Sequence, residues 1–196
     1  MENTLEWIKS RRSTRRFQDR AVEREKIEQV LEAGRYAPSG GNSQSTHFLV
    51  ISNPEVLNRL TVMVRSAFAA MEETPGMYRS IVSSIRASKA GNYVFHYNPP
   101  VLILTANQKA YGNNIADCAC ALENMMLQAN ALDLGSVWIN QLKWLNEDPA
   151  ILACLQSLGL EPEERVYGAL ALGYAAEGLP NRTPAARHGN PVTWID

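Results

Sequence analysis

Val101-Leu102-Ile103-Leu104-Thr105-Ala106, entered through Pro99-Pro100, is the stretch that decides the fold. It is apolar on both alternating faces, the pattern of a strand in the middle of a sheet covered from both sides. The helical stretch that follows, about Asn114 to Leu132, is apolar nearly all round through Ala116, Ala119, Leu122, Met126, Leu127 and Ala129, and reads as a core helix. A buried strand beside a buried helix implies helices layered on a sheet.

The flanking sequence continues this alternation. Leu5 and Ile8 mark a short first helix. Ile27, Val30, Leu31 and Gly34 share one face of an amphipathic helix over 23–36, ended by Ala37-Pro38. Phe48 to Ile51 reads as a buried strand, and after Asn53-Pro54 the series Leu57, Leu60, Val64, Phe68, Met71 has helical spacing. Gly135-Ser136 leads into a strand at Val137-Trp138-Ile139, a helix lies near Ile151 to Leu158, and Val166 to Leu172 is a further strand. Residues 73–98 carry Pro75-Gly76, a helical signal around Ile81 and Ile85, and the cluster Tyr93, Phe95, His96, Tyr97. The tail from Gly178 holds prolines, Arg182, Arg187 and a strand-like Val192-Thr193-Trp194-Ile195, whose apolar end needs its own sheet or a second subunit to pack on.

At 196 residues, 45% hydrophobic and 20% charged, the chain has the composition of a globular enzyme or binding domain, and 1–196 reads as a single domain. No apolar run approaches the roughly 20 residues that span a bilayer, and the N-terminus lacks a signal-peptide layout, so a cytoplasmic location is expected. Three cysteines do not make a disulfide framework. Cys118 and Cys120, two apart on a helix, point to different faces and make a poor metal pair, so all three are expected to be buried apolar residues.

Against a net charge of only -1, four arginines fall in the six residues Arg11-Arg12-Ser13-Thr14-Arg15-Arg16. Guanidinium groups make paired, charge-assisted hydrogen bonds to phosphate, and the Ser13 and Thr14 hydroxyls add neutral donors. A solvated turn at a helix end has the same look. A nucleic-acid surface does not, because basic residues would then dominate the whole chain.

Familiar catalytic patterns are missing. The sequence has no dinucleotide-binding G-x-G-x-x-G, no P-loop, no G-x-S-x-G elbow and no zinc-binding spacing around His47, His96 or His188. His47 and His188 read as structural, while His96 sits among aromatics that could line a pocket. The loop Pro38-Ser39-Gly40-Gly41-Asn42-Ser43-Gln44 offers amides, hydroxyls and two glycines, which suits close approach of a planar polar ligand as well as an ordinary helix-to-strand connection.

Arg11-Arg12-Ser13-Thr14-Arg15-Arg16-Phe17, followed by Ala37-Pro38-Ser39-Gly40-Gly41-Asn42-Ser43-Gln44, resembles the opening of the nitroreductase family of FMN-dependent oxidoreductases. The lead into Val101 to Thr105, the helix with Asp117 and Glu123-Asn124-Met125-Met126, Leu134-Gly135-Ser136-Val137-Trp138 and Ala171-Leu172-Gly173-Tyr174 extend the resemblance over nearly the whole chain. The chain departs from the family at Ser45-Thr46, where Pro and Trp are common, at Ala175, where proline is common, and in lacking a clear counterpart of the acidic residue and glycine near flavin N5.

The resemblance implies an α+β, three-layer fold with a central mixed sheet flanked by helices, and a C-terminal extension that packs on the partner of an obligate homodimer. It implies one FMN at each of two interface sites, with no nucleic acid, membrane or metal involved. Arg11, Arg12 and Ser13 would hold the phosphate and nearby ribityl oxygens, and Arg15 would lie near the N1 and O2 edge of the ring. Pro38, Ser39 and Asn42 would come from the other subunit, with Gln44 supporting that loop or reaching the flavin. Leu134, Gly135 and Ser136 would lie along the ring near N5, and either Arg182 or Arg187 would join the phosphate. Residues 73–98 would build the wall over the ring, with Tyr93, His96 and Tyr97 in the substrate pocket. The implied activity is ping-pong oxidation of NAD(P)H with transfer of the hydride to a nitroaromatic, quinone or similar acceptor. Alternatives are flavin cleavage, reductive dehalogenation, ene reduction, or FMN binding and storage without turnover. No side chain would be catalytic in the usual sense, since the flavin carries the redox step and Arg15 stabilises negative charge on it.

Overall fold

The computed structural model describes residues 4–178, 184 and 186–195. Its four strands, β1 (His47–Ile51), β2 (Val101–Gln108), β3 (Gly135–Ile139) and β4 (Glu164–Gly173), form one sheet in the order β1-β2-β4-β3. The helices are α1 (Thr4–Ser10), α2 (Arg24–Arg35), α3 (Pro54–Ala69), α4 (Arg79–Lys89), α5 (Asn114–Ala131), α6 (Gln141–Trp144) and α7 (Pro149–Ser157). Among the described residues no helix is long and apolar enough to cross a membrane.

β2 is interior, as its composition requires, and the period of two assigns its side chains to two cores. Leu102, Leu104 and Ala106 pack with Leu60, Val64 and Phe68 of α3, Ile85 of α4 and Ile151 of α7. Val101 and Ile103 face the other way, onto Val30 of α2 and Leu122 and Met125 of α5. Leu102, Ile103 and Leu104 are fully buried, each contributing about 1.5–3 kcal/mol by leaving water. The result is the expected α+β arrangement, with helices on both faces of the sheet. All three strand pairings are antiparallel, where a mixed sheet was expected; a parallel contact enters through a single bridge between Ser13 and Ser136.

Local chemistry sets the helix starts. Asn53 accepts the amides of Glu55 and Val56 at 2.8 and 3.2 Å, and Asp148 accepts those of Ala150 and Ile151 at 3.0 Å, each ahead of a proline that opens the helix. α4 covers the helical signal at Ile81 and Ile85. The four-residue α6 had no periodic signal to betray it.

Three expectations are corrected. α5 is not buried all round: Asp117, Cys118, Ala121, Leu122, Met125 and Met126 face the core, while Ile115, Ala116 and Cys120 are exposed. Small and apolar residues on an outward face look like core in sequence because composition does not report direction. For the same reason Cys120 is not buried, although Cys118 and Cys154 are. Residues 192–195 form no strand within this chain, and Val192, Trp194 and Ile195 are 72%, 83% and 95% exposed.

Candidate functional site

The arginine segment is held along the edge of the sheet by backbone pairing. Asn130 near the end of α5 donates to the Trp7 carbonyl at 3.0 Å and to Ser10 Oγ at 2.8 Å, which fixes where α1 releases the chain into Arg11. The Thr14 amide then donates to the Ser136 carbonyl at 2.9 Å, the Gln18 amide to the Tyr174 carbonyl at 2.9 Å, and the Ala176 amide to the Arg16 carbonyl at 3.0 Å. At Gly135 a Cβ would lie 2.7 Å from Thr14 Oγ1, so only glycine lets the segment approach β3 this closely. Arg11, Arg12, Ser13 and Arg15 are thereby brought beside Leu134, Gly135 and Ser136, although the two stretches are far apart in sequence. Leu134 and Ser136 are themselves buried, each 2% exposed.

Charge is left over at this edge. Arg12 donates to the carbonyls of Lys9 and Arg11 at 2.7 and 2.6 Å. Arg11, Arg15 and Arg16 make no ion pair with a carboxylate among the described residues. Three guanidinium groups without an acidic partner suit an anionic group such as a phosphate.

The loop Pro38 to Gln44 is built differently and lies elsewhere. Gly40 to Asn42 form a 3-10 turn in which Gly41 and Asn42 have φ of 58° and 56°, and Gln44 just beyond it has φ of 50°. Asp117, 5% exposed, holds the turn: Oδ1 accepts the Gly40 amide at 3.0 Å, and Oδ2 accepts the Tyr111 hydroxyl at 3.0 Å and that of Ser43 at 3.3 Å. The Gln44 amide donates to Ser39 Oγ at 3.0 Å. Pro38, Ser39 and Gln44, with His47, Phe48 and Asp117, line a cavity of about 480 Å³. Asn42 is exposed and, with Gln44, borders a neighbouring cavity. Asp117 and Tyr111 were not among the residues expected at the site, and only the mixture of Tyr111, Asn113 and Asn114 before an apolar helix hinted at a polar clamp.

One chain therefore carries two separate clusters of candidate site residues. The arginines sit near Asn130 and the loop near Asp117, thirteen residues apart on α5, about 20 Å at 1.5 Å per residue.

The aromatic segment contributes unequally. Tyr97 is 37% exposed, and the Arg15 guanidinium lies 5.9 Å from its ring centroid. The Tyr93 hydroxyl is engaged by Ser84 and Gln141, both at 2.7 Å, and burial pushes its phenol pKa up. His96 is 2% exposed and bonded on both sides of its ring, so it supports the segment from inside instead of lining a pocket. Its pKa is lowered by burial, which leaves the neutral ring favoured. His47 pairs with Glu164 at 2.7 Å, a structural contact between β1 and β4. Arg187 is exposed and unpaired among the described residues, and Arg182 lies outside them.

Known proteins share this fold. The Nitroreductase family profile matches residues 8–174. A solved Bacteroides fragilis nitroreductase with bound FMN is 34% identical over the full length of both chains, with a TM-score of 0.89. An Archaeoglobus fulgidus protein, provisionally named an NADH dehydrogenase/NAD(P)H nitroreductase, is 30% identical over 89% of this chain and 86% of its own. The nitrobenzene nitroreductase of Ectopseudomonas oleovorans is 26% identical over 88% of this chain and 87% of its own. A profile that spans both clusters, with a fold matched from end to end, means that the chain belongs to the nitroreductase family.

Proposed function

We propose that this protein is an FMN-dependent oxidoreductase that draws hydride from NAD(P)H and delivers it, by a ping-pong cycle, to a nitroaromatic, quinone or similar flat acceptor. The observation that carries the reading is that Arg11, Arg15 and Arg16, which pair with no carboxylate among the described residues, lie on a segment whose backbone is bonded along β3 and the end of β4, in a fold shared with an FMN-bound relative. Bound FMN would supply the two-electron step, taking hydride from the nicotinamide and passing it on once the nicotinamide has left.

The chain's own residues bind and orient. Arg11, Arg12 and Ser13 hold the phosphate and the neighbouring ribityl oxygens, and Arg15 stabilises negative charge at the N1 and O2 edge of the ring. Leu134, Gly135 and Ser136 run along the ring, and Arg187 is a candidate for a further phosphate contact. Pro38, Ser39, Asn42 and Gln44 act on the flavin of a second copy. The roughly 20 Å between Asp117 and Asn130 along α5 supports that assignment. A two-fold homodimer that pairs the outward face of α5, Ala116, Cys120, Glu123 and Leu127, antiparallel with its copy about mid-helix would bring one copy's loop to the other's arginines. The exposed 192–195 segment would cover the partner.

The visible spectrum of the purified protein, recorded without oxygen before and after NADH or NADPH, tests this. Flavin bands that bleach support the reading. Bands that persist with both reductants make the protein an FMN binder without nicotinamide oxidation, and a colourless protein that takes up no FMN overturns it.

A further inference from the structure

We propose that Tyr97 is the residue through which the site selects flat aromatic acceptors, and that the buried His96 is its positioning residue. The inference rests on the FMN reading above and names the residue that sets acceptor class within it.

Tyr97 and Asn98 have φ of 65° and 51°, two successive non-glycine residues in left-handed backbone. That conformation is uncommon for a bulky residue, and Pro99 further disfavours an α-type conformation at Asn98. Such a turn persists only where its surroundings impose it. A buried relay does so here. The Asn98 amide donates to His96 Nδ1 at 3.1 Å, so the ring proton belongs on Nε2. Nε2 lies 2.8 Å from Thr61 Oγ1 and 3.3 Å from the Leu57 carbonyl, and the Thr61 hydroxyl donates to that same carbonyl at 3.0 Å. With Nδ1 accepting, the Nε2 proton is directed to Thr61 Oγ1 and the Leu57 carbonyl, which defines a single tautomer. Phe95, 1% exposed, closes over the imidazole with ring centroids 4.7 Å apart.

The far side of the turn is pinned as well. Pro100 packs where a side chain at Gly173 would stand, since a Cβ there would lie 2.5 Å from Pro100 Cδ and 3.0 Å from Phe17 Cδ1. Phe17 continues the arginine segment, so one contact fixes the turn and Arg15 in a common frame. Between these two anchors the Tyr97 ring is the part of residues 93–98 that is both partly exposed and within 6 Å of the Arg15 guanidinium. A ring held there offers a flat apolar face beside a cation, which favours a planar, electron-poor or anionic aromatic over a non-planar molecule of equal charge.

Binding to FMN-loaded, oxidised protein tests this without turnover, using benzoate and cyclohexanecarboxylate as probes that share a carboxylate and differ in planarity. Calorimetry on Tyr97→Ala should show benzoate weakened roughly 3- to 10-fold with cyclohexanecarboxylate unchanged, the range expected of one aromatic pair. His96→Leu should reproduce that loss and expose the Asn98 amide to hydrogen exchange. His96→Asn, which keeps an acceptor near the Nδ1 position, should restore both. Equal losses for the two probes, an unchanged benzoate affinity in Tyr97→Ala, or an Asn98 amide indifferent to His96→Leu would overturn the inference. Because no reductant is present, a protein that binds FMN but resists NAD(P)H leaves this result readable. An unchanged probe ratio in a protein that does bleach removes this inference alone, and failure to bind FMN removes both.

Discussion

The carboxylate of Asp117 accepts the Gly40 amide at 3.0 Å across seventy-seven residues of sequence. With the hydroxyls of Tyr111 and Ser43 on its second oxygen, it converts a glycine-rich connection into a turn of defined shape. Under the proposed function that turn meets the flavin of the second copy. Asp117→Ala leaves the Gly40 amide and two hydroxyls without their acceptor. FMN affinity should fall roughly ten- to hundredfold, the range for losing hydrogen bonds to a charged group. Fluorescence titration of FMN measures this, with Asp117→Asn, which keeps one acceptor oxygen, lying between.

Under the proposed function Arg11 meets the phosphate and not the ring. Arg11→Ala should therefore weaken FMN by about tenfold or more and leave riboflavin, which lacks the phosphate, nearly unaffected. Paired titrations of the two flavins read the ratio, and an equal loss for both would move Arg11 away from the phosphate.

The exposed tail end supplies a test of assembly. Val192, Trp194 and Ile195 are too apolar to stand in water without cause. Under the proposed homodimer, a chain ended at Gly178 should shift from dimer toward monomer in light scattering and lose FMN in parallel. A truncated protein that keeps its mass and its flavin would place the whole dimer contact on α5 and the loops.

Acid should find the protein's weak point at His96. Burial lowers the folded ring's pKa below the ordinary 6.5, so the unfolded chain takes up this proton first. The contribution to stability is therefore present above about pH 6.5 and is lost as the pH falls through the folded pKa. Thermal midpoints followed from about pH 7 to pH 5 should drop for the wild type, and less steeply for His96→Asn, which has no ring to protonate.

Much of the fold was legible because its signals are local. The unbroken apolar run from Val101 to Ala106 could only be an interior strand, and Ile27, Val30 and Gly34 define the buried face of α2 by spacing alone. The arginine cluster and the Pro38 to Gln44 loop stood out by composition, and together they carried the family resemblance.

Other features depended on direction and distance, which composition does not encode. α5 reads as core throughout, yet Ile115 is half exposed, because which face meets the sheet is settled by packing. His96 looks in sequence like one more pocket aromatic, and only its bonds to Thr61 and Asn98, from opposite sides, make it an internal strut. The sequence by itself determined the layers, the family and the residue types suited to an anion. The tertiary structure decided that these residues stand in two groups at opposite ends of α5, since backbone pairing to Ser136 and a carboxylate at Asp117 act between segments that are distant along the chain.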